Sequence, residues 1–177
     1  MGSNEDMPIP DAHLTAPPPR PWVGLFGWLA GCALVAALGG LASVDAPAFY
    51  AELSKPGWAP PAGAFGPVWG VLYTLMAIAA WLVWRRAGWA GARLALSCFV
   101  LQLALNAAWS WLFFGWRLGG PALLDVGLLL LAVLATIATF WRHDRLAAAL
   151  LLPYLAWLGL ASALNAWVWQ ANPALLG

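Results

Sequence analysis

Four polar side chains, Gln102, Asn106, Asp125 and Asn165, stand inside otherwise apolar stretches of the chain. Amides and carboxyls are costly in such surroundings and are kept where they find a partner or a function. Aromatic residues accompany them: Trp69, Tyr73, Trp109, Tyr154 and Trp157. This set is poorly suited to acid–base work, which needs a positioned acid and base. Nor is there a metal-ligand cluster; the two histidines, His13 and His143, fall in the N-terminal stretch and in a charged connection. What the set suits is binding. An apolar cavity with a few polar groups and many ring faces matches a flat, hydrophobic, weakly polar molecule. Ala161, four residues beyond Trp157, leaves room for one.

The stretch Ser54-Lys55-Pro56-Gly57-Trp58-Ala59-Pro60-Pro61 would cover such a cavity. Proline lacks an N–H and fixes φ, so Pro56, Pro60 and Pro61 exclude a continuous helix and stiffen the segment. A stiff loop can hold the indole of Trp58 over a ligand. A large aromatic there is neither an interfacial belt residue nor an obvious core residue.

Composition supplies the surroundings. The chain has 177 residues, 63% of them hydrophobic and 8% charged. Soluble domains run at roughly 45–50% apolar and about 25% charged. The membrane class follows. A net charge of +1 excludes electrostatic nucleic-acid binding as the main activity. Cys32 and Cys98 lie in apolar segments and read as packing residues rather than a disulfide framework.

Residues 1–21 are polar and proline-rich and read as a disordered tail, without the apolar run of a secretory signal. Residues 22–172 form the membrane domain, and 173–177 a C-terminal tail. Five apolar segments, at Trp22–Ser43, Phe65–Arg85, Arg93–Phe114, Pro121–Trp141 and Leu146–Trp169, each approach the ~20 residues that cross a bilayer. Each must be a helix, because lipid offers the backbone no partners. The predicted class is an all-α bundle of five transmembrane helices. Short connections at 86–92, 115–120 and 142–145 make consecutive helices antiparallel neighbours. Only the first connection, Val44–Ala64, is long, and a helix at Ala46–Leu53 is expected within it, with Asp45 as cap and Pro47 in the first turn. Arg20, Arg85, Arg86, Arg93, Arg142 and Arg145 fall on one side, Lys55 and Arg117 on the other. The positive-inside rule then places the N-terminus in the cytoplasm of a bacterial cell and the long loop outside.

With that threading, Gln102, Asn106 and Trp109 share one helix face, as do Tyr154, Trp157, Ala161 and Asn165. Both faces point into the half of the bundle beneath the long loop. The plain reading of each amide is an interhelical hydrogen bond worth about 1 kcal/mol. Asp125 is either stabilised by the N-terminal end of its helix or engaged by a ligand or proton. Pro153 frees the Ala149 carbonyl and kinks the last span. Gly27 and Gly31 permit close helix approach, within the bundle or between copies. Trp22, Trp84, Trp89, Trp116, Trp141, Trp167 and Trp169 stand at segment ends, as interfacial belts do.

Four motifs resemble the TspO/MBR family of tryptophan-rich sensory proteins and translocator proteins. They are Lys55-Pro56-Gly57-Trp58-Ala59-Pro60-Pro61 followed by Phe65-Gly66-Pro67-Val68-Trp69-Gly70-Val71-Leu72-Tyr73, Gln102-Leu103-Ala104-Leu105-Asn106 with Trp109 and Phe113-Phe114-Gly115, and Pro153-Tyr154-Leu155-Ala156-Trp157 with Leu164-Asn165. The resemblance implies a five-helix bundle, commonly a homodimer, with a pocket for porphyrins, sterols and aromatic drugs under the first loop. By position it implies that Trp58, Asn106, Trp109, Asp125, Leu128, Trp157, Ala161 and Leu164 line or border that pocket. The implied ligand is protoporphyrin IX or a related tetrapyrrole, with no cofactor required. Lys55 would meet a propionate. The chain departs from the animal pattern where Leu164-Asn165-Ala166-Trp167-Val168-Trp169-Gln170 lacks the tyrosine and basic residue of the sterol motif, which speaks against sterol binding through it. Pro121 also replaces a pocket tryptophan of animal members.

Three functions compete. A porphyrin-binding membrane receptor or sensor fits best. A light-dependent porphyrin-degrading activity would rest on Trp58 and Trp157 alone. An ion-coupled transporter is disfavoured by five helices, no inverted repeat and a single intramembrane acid.

Overall fold

A computed structural model of the chain describes residues 21–177, and these are helical with no strand. The expected tail at 1–21 lies outside the described residues apart from Pro21. Five helical stretches are long and apolar enough to cross a membrane: Trp22–Ala42, Ala62–Gly91, Arg93–Gly115, Gly119–Trp141 and Arg145–Ala171. The protein is an integral membrane helical bundle.

The elements are α1 (Pro21–Ala42), α2 (Ala46–Glu52), a 3-10 turn (Ala62–Ala64), α3 (Phe65–Gly91), α4 (Arg93–Ser110), a π turn (Trp111–Gly115), α5 (Gly119–Trp141), α6 (Arg145–Ala149), α7 (Leu152–Ala171) and α8 (Pro173–Leu176). α1 packs on α3 and α4, and α5 packs on α4 and α7. α3 and α7 meet through aromatic side chains, with Phe65 edge-on to Trp157 at 5.8 Å and Trp69 edge-on to Tyr154 at 6.1 Å.

Each boundary has a local cause. The α3–α4 turn is made at Gly88, whose φ of 62° is open to glycine and strained for other residues. The last span is broken as Pro153 requires: α6 ends at Ala149 and α7 restarts with Pro153 in its first turn. Asp144 caps α6, its Oδ1 accepting from the N–H groups of Leu146 (2.8 Å) and Ala147 (3.1 Å). Its Oδ2 lies 2.9 Å from Nε of Arg86, which clasps the α5–α6 turn to the end of α3.

Several expectations need correction. Asp45 precedes α2 but makes no side-chain cap; its carbonyl accepts from Phe49 N–H at 3.0 Å instead. In the C-terminal tail, Pro173–Leu176 form α8. α8 buries Leu176, and the Gly177 carbonyl accepts from the Trp169 indole at 2.7 Å. Gly27 and Gly31 do not pack inside the bundle, since a Cβ on either would meet nothing within 4 Å. The close approach is at Gly24, where a Cβ would lie 2.0 Å from the Trp84 ring.

This contrast gives a test of α1 packing. Gly24→Ala should destabilise the protein by about 1–3 kcal/mol, because the rigid Trp84 ring has to move. Gly27→Ala should be neutral or slightly stabilising through helix propensity. Thermal unfolding of both variants in the same detergent checks the difference; equal midpoints would contradict the packing described.

Candidate ligand-binding site

The site begins with two hydrogen-bonded sets that pair the buried amides Asn106 and Asn165. In the first, the Tyr73 hydroxyl donates to Oδ1 of Asn106, and Nδ2 of Asn106 donates to the Tyr154 hydroxyl at 2.9 Å. This set joins α3, α4 and α7. In the second, the Trp109 indole donates to Oδ1 of Asn165 at 3.1 Å, and Nδ2 of Asn165 donates to the Gly119 carbonyl at 3.0 Å. This one joins α4, α7 and the start of α5. Asn106 and Asn165 are buried, as a polar group in lipid must be. The donation to Gly119 ties α7 to the first turn of α5 through the backbone.

Toward the α1–α3 loop, aromatic rings line two partly open cavities. The larger, about 520 Å³, lies between α1 and α3. Its α1 side is small: Ala36, Gly39 and Gly40 of α1 and Ser43 just past its end. Its other walls come from Phe65, Trp69 and Tyr73 of α3 and from Trp109 and Phe114. Ala46, Pro47, Tyr50 and Ala62 of the loop roof it. The smaller cavity, about 20 Å³, lies between α4 and α7 and is bordered by Trp157, Ala161, Leu164, Asn165 and Pro60 among others. Tyr50, Phe65, Trp109 and Phe114 border both cavities, so these four rings form the wall between them.

The π turn makes part of that wall. In a regular helix, adjacent residues point about 100° apart. The wider turn at Trp111–Gly115, closed by Trp116 N–H on the Trp111 carbonyl at 2.7 Å, brings Phe113 and Phe114 to the same interior region. Trp109 stacks on Phe113 with centroids 5.2 Å apart, and Phe114 stands edge-on to both. Past the turn, Arg117 takes φ 55°, and its guanidinium sits 4.7 Å from the centroid of Phe49.

The loop is held from beneath. The Tyr50 hydroxyl donates to the Pro60 carbonyl at 2.9 Å. Burial pushes the Tyr50 phenol above its ordinary value, so the neutral donor is the favoured form. Lys55 donates to the carbonyls of Tyr50 and Leu53 and lies over the Tyr50 ring at 4.8 Å. It is thus engaged within the loop instead of being aimed at a ligand carboxylate.

Of the residues expected at the site, Trp69, Tyr73 and Trp109 line the larger cavity. Trp109, Trp157, Ala161, Leu164 and Asn165 line the smaller. Asn106 and Tyr154 form the polar link beneath. Three placements differ from expectation. Trp58 is half-exposed and lines neither cavity. Residues 56–59 close into a turn, Ala59 N–H to the Pro56 carbonyl at 3.0 Å, and Tyr50 fills the space under the loop instead. Leu128 is also half-exposed; it shares an outer face of α5 with Leu124 and Leu131, while Asp125, Val126 and Leu129 turn inward. Asp125 is buried, but it lines neither cavity, and its Oδ2 has no hydrogen-bond partner.

Tyr50, Phe65 and Phe114 are the site residues that helical spacing missed. Their signal was present for Tyr50 and Phe65, which flank the proline-rich loop at either end. For Phe114 it was hidden by the π turn.

A profile of the TspO/MBR family matches residues 28–170 of the chain. The human translocator protein is 45% identical over 126 residues, covering 70% of this chain and 75% of that protein. Protein CrtK of Rhodobacter capsulatus is 40% identical over 151 residues, 82% of this chain and 91% of its own length. The tryptophan-rich sensory protein of Cereibacter sphaeroides is 38% identical over 144 residues, 81% of this chain and 88% of that protein. With five apolar spans, the long roofed connection and a match across nearly the whole membrane domain, the chain belongs to the TspO/MBR family.

Proposed function

We propose that this protein is a membrane receptor or sensor for porphyrins and similar flat hydrophobic molecules, held in the ring-lined space beneath the α1–α3 loop. The observation that carries the reading is the larger cavity. Its volume of about 520 Å³ is in the range of sites for drug-sized ligands, roughly 300–1,000 Å³. Its walls offer ring faces from Phe65, Trp69, Tyr73 and Trp109, and small residues on the opposite side. A flat aromatic molecule is the shape such walls stack on. Relatives carry the names translocator protein and tryptophan-rich sensory protein, which speak of transport and sensing in those proteins.

The arginine-rich end of the bundle, with Arg85, Arg86, Arg93, Arg142 and Arg145, supports a cytoplasmic N-terminus in a bacterial cell membrane. The open Gly27 and Gly31 positions of α1 support self-association as a homodimer. A photochemical activity draws less support, since Trp58 stands outside both cavities and Trp157 borders only the smaller.

Protoporphyrin IX titrated into the purified protein in lipid nanodiscs should quench tryptophan fluorescence saturably. Ala36→Phe, which fills the larger cavity from the α1 side without removing a hydrogen bond, should weaken binding by about tenfold or more. A wild-type affinity in Ala36→Phe would place the ligand elsewhere.

Neither cavity lining contains a histidine, cysteine or methionine. Stacking and apolar contact would then carry the affinity, and metal-free protoporphyrin should bind at least as tightly as haem. A strong haem preference in the same titration would contradict this account.

A further inference from the structure

Asn172 lies just past α7, far in sequence from the loop, and its side chain is spent entirely on backbone. Its Oδ1 accepts from the Ser54 N–H at 2.8 Å. Its Nδ2 donates to the Ser54 carbonyl at 3.0 Å and to the Val168 carbonyl at 2.8 Å. The Asn172 residue is itself fixed from both sides. Its N–H donates to the Val168 carbonyl, and its carbonyl receives the N–H groups of Leu175 and Leu176 in α8. A buried side chain on a rigid mount therefore grips both backbone groups of one loop residue.

The gripped residue sits between the parts of the loop that roof the cavities. Ala46, Pro47 and Tyr50 precede it; Pro60 and Ala62 follow it. Tyr50 ties the two sides together through its bond to the Pro60 carbonyl. Ser54 is the point at which this roof is fastened to α7. Lys55 reinforces the same segment from within the loop by donating to the Tyr50 and Leu53 carbonyls.

We propose that Asn172 is a positioning residue that latches the loop over the cavities and thereby sets how fast a ligand exchanges. The exchange part of this rests on the ligand-binding reading above. The latch itself does not. Both bonds to the loop use the backbone of Ser54, while its side chain is on the exposed surface. The identity of residue 54 should then be irrelevant, provided that it has an N–H.

Three variants in nanodiscs separate the latch from a general weakening of the fold. Asn172→Ala removes the grip. Ser54→Pro leaves Asn172 in place but deletes the donor, and the extended backbone of Leu53 before it, ψ 134°, accommodates a following proline. Ser54→Ala keeps both bonds. Two quantities are read: hydrogen exchange of the loop amides between residues 51 and 62, and the release rate of bound protoporphyrin IX in a chase. Asn172→Ala and Ser54→Pro should each speed loop exchange and ligand release by about tenfold, the scale set by losing one or two net hydrogen bonds. Ser54→Ala should match wild type in both. Unchanged loop exchange in Asn172→Ala and Ser54→Pro, or a Ser54→Ala that behaves like them, overturns the latch. A loosened loop with wild-type release overturns its control of access. If the wild-type protein fails to bind protoporphyrin, the ligand reading falls and takes the release claim with it, while the loop amides still decide the latch.

Discussion

The structure depends on the way Asn165 is satisfied. A buried amide in lipid has no water to fall back on, and an unmet donor or acceptor there costs several kcal/mol. Asn165 meets this by accepting from Trp109 and donating to the Gly119 carbonyl. Those two partners fix the depth of α4 and α5 against α7 at the loop end of the bundle. The same side chain borders the smaller cavity, so the residue that sets helix register also sets one wall of the candidate site. Asn106 does the equivalent one layer deeper by accepting from Tyr73 and donating to Tyr154. Together they bring four spans, α3, α4, α5 and α7, into register with almost no charge.

Cavities at this place follow from residue size. α1 presents alanine and glycine where α3 and α4 present large rings, and small residues opposite rings leave volume unless the helices close up. They do close at Gly24, where Trp84 packs directly against the backbone. Near the loop, α2 and Tyr50 stand between the spans, and the gap of the larger cavity persists. The aromatic wall of Tyr50, Phe65, Trp109 and Phe114 then divides the space instead of filling it.

Much of this was legible in the sequence, for reasons that can be named. The spans were legible because twenty apolar residues in a row admit few other fates. The converging face of Asn106, Trp109, Trp157 and Asn165 was legible because helical spacing is regular and polar groups must point inward. Pro153 announced its own break. The failures occurred where local backbone departs from the regular helix or where a distant partner intervenes. Trp58 looked like a lid because the prolines around it exclude helix, yet rigidity does not fix direction, and the turn at 56–59 carries the ring outward. Leu128 is implied only by likeness to the family, and its neighbours Leu124 and Leu131 mark an outer face. Phe114 was obscured by a π turn that no spacing rule anticipates. Asn172 gives no signal in the sequence because its partners are backbone groups of Ser54 and Val168, and a backbone has no sequence signature.

The internal cancellation of polarity also bears on what the site can distinguish. Tyr73, Asn106, Trp109 and Asn165 spend much of their hydrogen-bonding capacity on one another, leaving little to read polar groups on a ligand. Sites built to hydrogen-bond a substrate reject analogues that lack the matching group by large factors, whereas apolar pockets discriminate only about 1–3 kcal/mol per methylene. A ring-lined cavity whose Tyr73 and Trp109 already donate to buried amides belongs to the second kind. On the proposed reading, its selectivity would come from shape and flatness, from what fits between the small residues of α1 and the rings of α3. A receptor built this way would respond to a class of hydrophobic rings rather than to one member of it. That breadth would follow from the same pairing of side chains that holds the spans together.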